Sequence, residues 1–81
     1  MITGAQIRLA RKLLDWSPWR LARSSRVPSA VIQRAEAADG EPPITAYQEA
    51  LIRNALLDAR VEFTEGEPGV QLRKATNTEA K

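Results

Sequence analysis

Two proline steps, Ser17-Pro18 and Val27-Pro28, limit what this chain can fold into more than any other feature. Serine is a good helix N-cap, and proline suits the first helical position, where a missing N–H costs nothing. A helix therefore opens at Ser17-Pro18, turns Leu21 and Ala22 inward, and breaks at Ser24-Ser25-Arg26. Val27 precedes proline and is extended, and Pro28 can open the next helix. The stretch from Asp15 to Gly40 thus reads as two short helices joined by a tight turn.

Residues 28–37, wound at about 100° per residue, divide into two faces. Pro28, Val31, Ile32 and Ala35 gather on one; Ser29, Ala30, Gln33, Arg34 and Ala37 gather on the other. The second face is small, polar and basic, as a helix entering a DNA major groove requires. An ordinary amphipathic helix with a solvated face has the same wheel.

Elsewhere, Thr3 with Gln6 has capping-box spacing and opens a helix from about Gly4 to Leu14. Ile7, Ala10, Leu13 and Leu14 form its apolar arc, with Leu9 at the margin, Arg8 and Lys12 opposite, and Arg11 flanking. Trp16 continues the arc into the core, whereas Trp19 is expected to pack partly against a neighbouring helix. Ala38 to Pro43 reads as a loop. Thr45 with Gln48 opens a further helix to about Ala59, with Ile44 as a staple before it. Its inward face is Leu51, Ile52, Ala55, Leu56 and Ala59, and Leu57 points away. Arg60 stands where helices often end in glycine. Val61/Phe63 and Val70/Leu72 alternate with polar residues around a Gly- and Pro-containing loop at 65–69, a hairpin signal. The resulting division is 1–60 helical, 61–74 hairpin, and 75–81 a frayed polar tail.

With 81 residues the chain supports one small core. It has no cysteine and no histidine, which removes disulfides, zinc fingers and thiol or imidazole catalysis. Its carboxylates are scattered over different elements, so an enzyme is not expected, nor any cofactor or metal. No run reaches the ~18 apolar residues of a membrane span, and a cytoplasmic protein with no membrane partner is the default. Residues 1–40 carry seven Lys/Arg against three Asp/Glu, and residues 41–81 carry five against seven. The basic half contains the paired short helices, the balance an electrostatic DNA footprint requires.

The ordered set WS-x-x-x-LA-(x)4-V-(x)4-IQR-x-E, from Trp16 to Glu36, resembles the lambda-repressor-like (XRE/Cro-type) helix-turn-helix family. The resemblance is best over Ile7 to about Gly40. It implies a mainly α fold, a four-helix helix-turn-helix bundle, here followed by a C-terminal β-hairpin. It further implies a salt bridge between Arg11 in the first helix and Glu36 at the end of the recognition helix. Ser29, Ala30, Gln33 and Arg34 would then face DNA bases, with Ser17, Arg20, Arg23 and Arg26 at the backbone. Four positions depart from the family pattern: Pro18 replaces glutamine, Arg26 glycine, Pro28 a hydroxyl cap, and Val31 a small hydroxyl residue.

The function implied is a sequence-specific transcriptional regulator, a repressor acting as a homodimer on an inverted repeat in double-stranded DNA. The hairpin is the expected dimer interface through Val61, Phe63, Val70 and Leu72, extended by Leu57. A hairpin folded onto its own helices, with the fourth helix forming the dimer, is the other arrangement. The functional alternative is a protein-interaction module, antitoxin-like or anti-regulator, that binds a regulatory protein partner. The four departures and an exposed Trp19 would favour it.

Overall fold

The first, second and fourth helices each begin at a hydroxyl residue that satisfies one of the first free amides. In the computed structural model, which describes residues 2–64 and 69–73, helix α1 (Gly4–Leu13) starts from a complete capping box. The Thr3 hydroxyl accepts from the Gln6 N–H at 3.1 Å, and the Thr3 N–H donates to Gln6 Oε1 at 2.8 Å. Helix α4 (Ala46–Asp58) repeats the device with Thr45 and Gln48. Helix α2 (Pro18–Ser25) is capped by the Ser17 hydroxyl, which accepts from the Arg20 N–H. Helix α3 (Ser29–Ala37) has no side-chain cap, because Pro28 is its N-cap residue rather than its first helical one.

Among the described residues, three that bear side chains adopt positive φ: Asp15 (57°), Arg26 (63°) and Arg60 (75°). Asp15 redirects the chain after α1, Arg26 ends α2, and Arg60 lies between α4 and the first strand. Left-handed backbone costs a non-glycine residue about 1–2 kcal/mol, so the neighbouring structure must hold it. At Arg26 the buried Ser25 does so. Its hydroxyl donates to the Leu21 carbonyl at 2.7 Å and accepts from the Val27 N–H at 3.3 Å.

One apolar core runs through all the elements, including Ile7 and Ala10 of α1, Leu21 of α2, Val31, Ile32 and Ala35 of α3, and Ile52 and Leu56 of α4. Ile2, just outside α1, is also buried, and its N–H donates to the buried Glu49 carboxylate at 3.1 Å. Arg53 Nη1 closes on the same carboxylate one turn along α4. Leu13, the last residue of α1, departs from the expected arc and is partly exposed. Trp16 is half-buried at the core margin.

Helices α1 and α3 meet at backbone distance. A Cβ on Gly4 would stand 1.8 Å from the Ala38 carbonyl oxygen and 2.2 Å from that of Ala35. The Gly4 N–H instead donates to the Gly40 carbonyl at 2.8 Å, so the chain leaving α3 satisfies the start of α1. Only glycine permits this approach.

Strands β1 (Val61–Phe63) and β2 (Val70–Leu72) form an antiparallel pair in the register Val61↔Leu72, Glu62↔Gln71 and Phe63↔Val70. Val61, Phe63, Val70 and Leu72 share the face turned to α1 and α4. Val61 is 0% exposed and Val70 2%. Two of the four side chains expected at a dimer interface, Val61 and Val70, are therefore inside the chain's own core, because α1 and α4 supply the apolar surface that two short strands need. This packing also places the strands in the same core as residues 1–60. The loop at 65–68 and the tail at 75–81 lie outside the described residues. Among the described residues, no helix is long and apolar enough to cross a membrane.

Candidate nucleic-acid interface

Helix α3 divides as its wheel requires except at Pro28, expected on the inner face, which precedes the helix and is exposed. Val31, Ile32, Ala35 and Glu36 are buried; Ala30, Gln33, Arg34 and Ala37 are exposed, and Ser29 is half-buried. The inner residues belong to the common core, so the outward residues are held on a packed element with no freedom to turn in.

The C-terminal end of α3 is gripped by α1. Arg11 meets Glu36 through two bonds of 2.8 Å, Nε to Oε2 and Nη2 to Oε1, and its Nη1 donates to the Trp16 carbonyl at 2.9 Å. The side chains are only 15% and 9% exposed, so the pair is shielded from solvent. The Glu36 hydrogen bond holds the guanidinium above its ordinary pKa; burial pulls it down, and the Glu36 charge raises it further. Arg8 adds a second grip that its wheel position did not suggest. It donates through Nη1 to the Glu36 carbonyl and through Nη2 to Asp39 at 3.1 Å. Two cations at the carbonyl end of α3 also suit that helix's dipole.

Ion pairing separates the arginines into two groups. Arg8, Arg11, Arg53 and Arg73 each contact a carboxylate. Among the described residues, Arg20, Arg23, Arg26 and Arg34 form no such pair, nor do Lys12 and Arg60. The four exposed arginines from 20 to 34 lie on α2, the turn after it and α3, so their charge is uncompensated along that segment. Compared with protein-family models, with curated proteins and with solved structures, the chain has no match.

Ser17, expected at a DNA backbone, spends its acceptor on the α2 cap, which leaves its hydroxyl proton to donate. Arg20 lies over the Trp16 ring, 4.8 Å from its centroid. Trp19 is 61% exposed, so the expected packing against a neighbouring helix is absent; α2 turns its opposite side, Leu21 and Ser25, to the core. Tyr47, 74% exposed in the first turn of α4, was missed by sequence reasoning, although it falls outside the inward Ile52–Leu56 set. Leu57 is partly exposed, as its wheel position requires, and Leu72 is 45% exposed at the end of the sheet. Glu41 lines a groove beside Arg34 together with Ile44 and Gln48. No group of three or more potential metal-ligating side chains occurs among the described residues.

Proposed function

We propose that this chain is a sequence-specific regulator of transcription that binds double-stranded DNA as a homodimer. On this reading α2 and α3 are a helix-turn-helix of the lambda-repressor-like kind, and α3 lies in the major groove. The observation that carries it is the outer face of α3, with Gln33 and Arg34 exposed, together with the exposed Arg20, Arg23 and Arg26, which have no carboxylate partner among the described residues. Gln33 pairs bidentately with adenine and Arg34 with guanine, each contributing about 1–3 kcal/mol of discrimination. Ser29 and Ala30 approach neighbouring bases, and Arg20, Arg23 and Arg26 neutralise phosphates. Repression of a small operon or mobile-element circuit is the setting the resemblance supplies.

The test is a gel shift and footprint on DNA upstream of the protein's own gene, followed by selection from random duplexes. A protected inverted repeat is expected, with preference lost at single positions in Gln33→Ala and Arg34→Ala. Folded variants with unchanged preference would sink the assignment of those two readers. The exposed Trp19 and Tyr47 favour a second reading, a module that binds a regulatory protein. Failure of the folded chain to retain any duplex at low salt would leave that one standing.

A further inference from the structure

Arg34 and Glu41 line one open groove, between the last turns of α3 and the start of α4. They are its charged residues, the rest of the described lining being neutral. No ion pair joins them, and neither meets another opposite charge among the described residues. The other carboxylate of this loop, Asp39, is taken by Arg8. The backbone of Glu41 is held in place from both sides. A residue before proline is kept out of helical backbone, and Glu41 precedes Pro42-Pro43. Ahead of it, the Asp39 and Gly40 carbonyls accept from the Ala5 and Gly4 amides at 3.4 and 2.8 Å. Behind it, Pro42 is buried and its carbonyl accepts from the Ile44 N–H at 2.9 Å. The loop is thus pinned to α1 and to the core, and it keeps a carboxylate in the groove of the arginine assigned to a base.

We propose that Glu41 is a specificity residue: its carboxylate disfavours a phosphate as the partner of Arg34 and leaves a guanine edge favoured. The inference rests on the DNA-binding reading above and deepens it. A guanidinium fork fits a phosphate as well as the O6/N7 edge of guanine, so Arg34 by itself can grip any duplex. The two partners differ in charge. Phosphate oxygens are anionic, whereas the guanine edge is neutral and only accepts hydrogen bonds. A carboxylate fixed in the same groove repels the first and tolerates the second. Glu41 therefore acts by penalising the wrong complex rather than by adding a contact to the right one.

The test uses the full chain, the duplex it selects from random sequences, and a scrambled duplex of the same length. Glu41→Gln should tighten binding to the scrambled duplex by about fivefold at low salt, the scale of an exposed charge contact. There the slope of log affinity against log salt should steepen by about 0.9, as Arg34 takes a phosphate. Binding to the selected duplex should change little, so the preference between the two falls by the same factor. Glu41→Asp keeps the charge and should keep the parent's preference. In an Arg34→Ala background, Glu41→Gln should have no such effect, since the guanidinium it governs is gone. Melting temperatures should stay near the parent's, because Glu41 is exposed. If Glu41→Gln shifts both duplexes by one factor, shifts neither, or acts as strongly without Arg34, the inference is overturned and the DNA reading stays intact. An unaltered chain that selects no duplex overturns both.

Discussion

Arg11 and Glu36 are joined by two parallel hydrogen bonds of 2.8 Å each, so the first helix holds the last turn of the third through a fork-to-fork ion pair. Replacing either partner by alanine strands the other in a site at most 15% exposed. A loss of about 3–5 kcal/mol is expected, well above the 0–1 of an exposed pair. Arg11→Lys should recover only part of it, because an ammonium cannot match both carboxylate oxygens or keep the bond to Trp16. Because Arg11's pKa is raised on folding, its contribution is complete below the unfolded value and is lost only as pH rises through the folded one. Urea titrations at about pH 7 and pH 10 should therefore give the same cost for Arg11→Ala. Parent-like stability in both alanine variants would count against the pair.

Gly4→Ala sets two effects against each other. Alanine favours a helix over glycine by about 1 kcal/mol. The added methyl would meet the Ala38 and Ala35 carbonyl oxygens at 1.8 and 2.2 Å, and both are backbone atoms that cannot swing aside. Separating the helices there also disturbs the Gly4–Gly40 bond and the two arginine grips. The clash wins, at about 1–3 kcal/mol or more net. A thermal melt equal to or above the parent's would show that α1 and α3 do not approach this closely.

How far these features were legible depends on how local they are. The two capping boxes and the division of α3 into faces involve residues a few positions apart, and Arg26 and Arg60 were marked by the glycine expected in their place. Arg11 and Glu36 are 25 residues apart, and only a resemblance to a family suggested their pairing. Arg8 was misjudged because a wheel places the Cβ, whereas an arginine head reaches well beyond it. Gly4 looked like an ordinary helix start, since nothing near it reveals a carbonyl from residue 38. The hairpin's alternation marked which side chains share a face, but not that Val61 and Val70 would be buried by α1 and α4 while Leu72 stays exposed.

Arg26→Gly should raise stability and lower DNA affinity together. Glycine removes the strain of φ 63°, a gain of about 1 kcal/mol. It also removes a cation that has no carboxylate partner among the described residues. The salt slope of duplex binding should fall by about 0.9, with cognate and non-cognate DNA affected alike. Calorimetry and a salt series on the same sample check both halves. A more stable variant with undiminished affinity would remove Arg26 from the backbone contacts.

The proposed dimer is best tested by a point change at the sheet rather than by cutting it off. A chain ending at Ala59 would lose Val61 and Val70 from the core, each side chain contributing about 1.5–3 kcal/mol. That is a large share of the 5–15 kcal/mol typical of a domain, so its behaviour would report unfolding. The surface left for a second copy is the exposed Leu72, the half-buried Phe63 and the nearby end of α4 with Leu57. The bonds Thr64 N–H to Gly69 and Arg73 N–H to Arg60 make Val61/Leu72 and Phe63/Val70 the non-hydrogen-bonded pairs, whose own amides and carbonyls point out from the sheet edges. Pairing two β1 edges about a two-fold axis would set Glu62 against Glu62 of the partner subunit, a like-charge contact. Pairing two β2 edges sets Gln71 against Gln71 of the partner subunit, which can hydrogen-bond, and brings Leu72 next to Val70 of the partner subunit. The β2 edge is therefore the expected seam. Leu72→Asp should leave the melting temperature near that of the isolated subunit, yield a monomer in sedimentation, and abolish binding to an inverted repeat while a half-site is still retained at low salt. Leu57→Asp should weaken the dimer less. If Leu72→Asp still sediments as a dimer, the two copies meet elsewhere, and the outer surface of α4 is the next place to substitute.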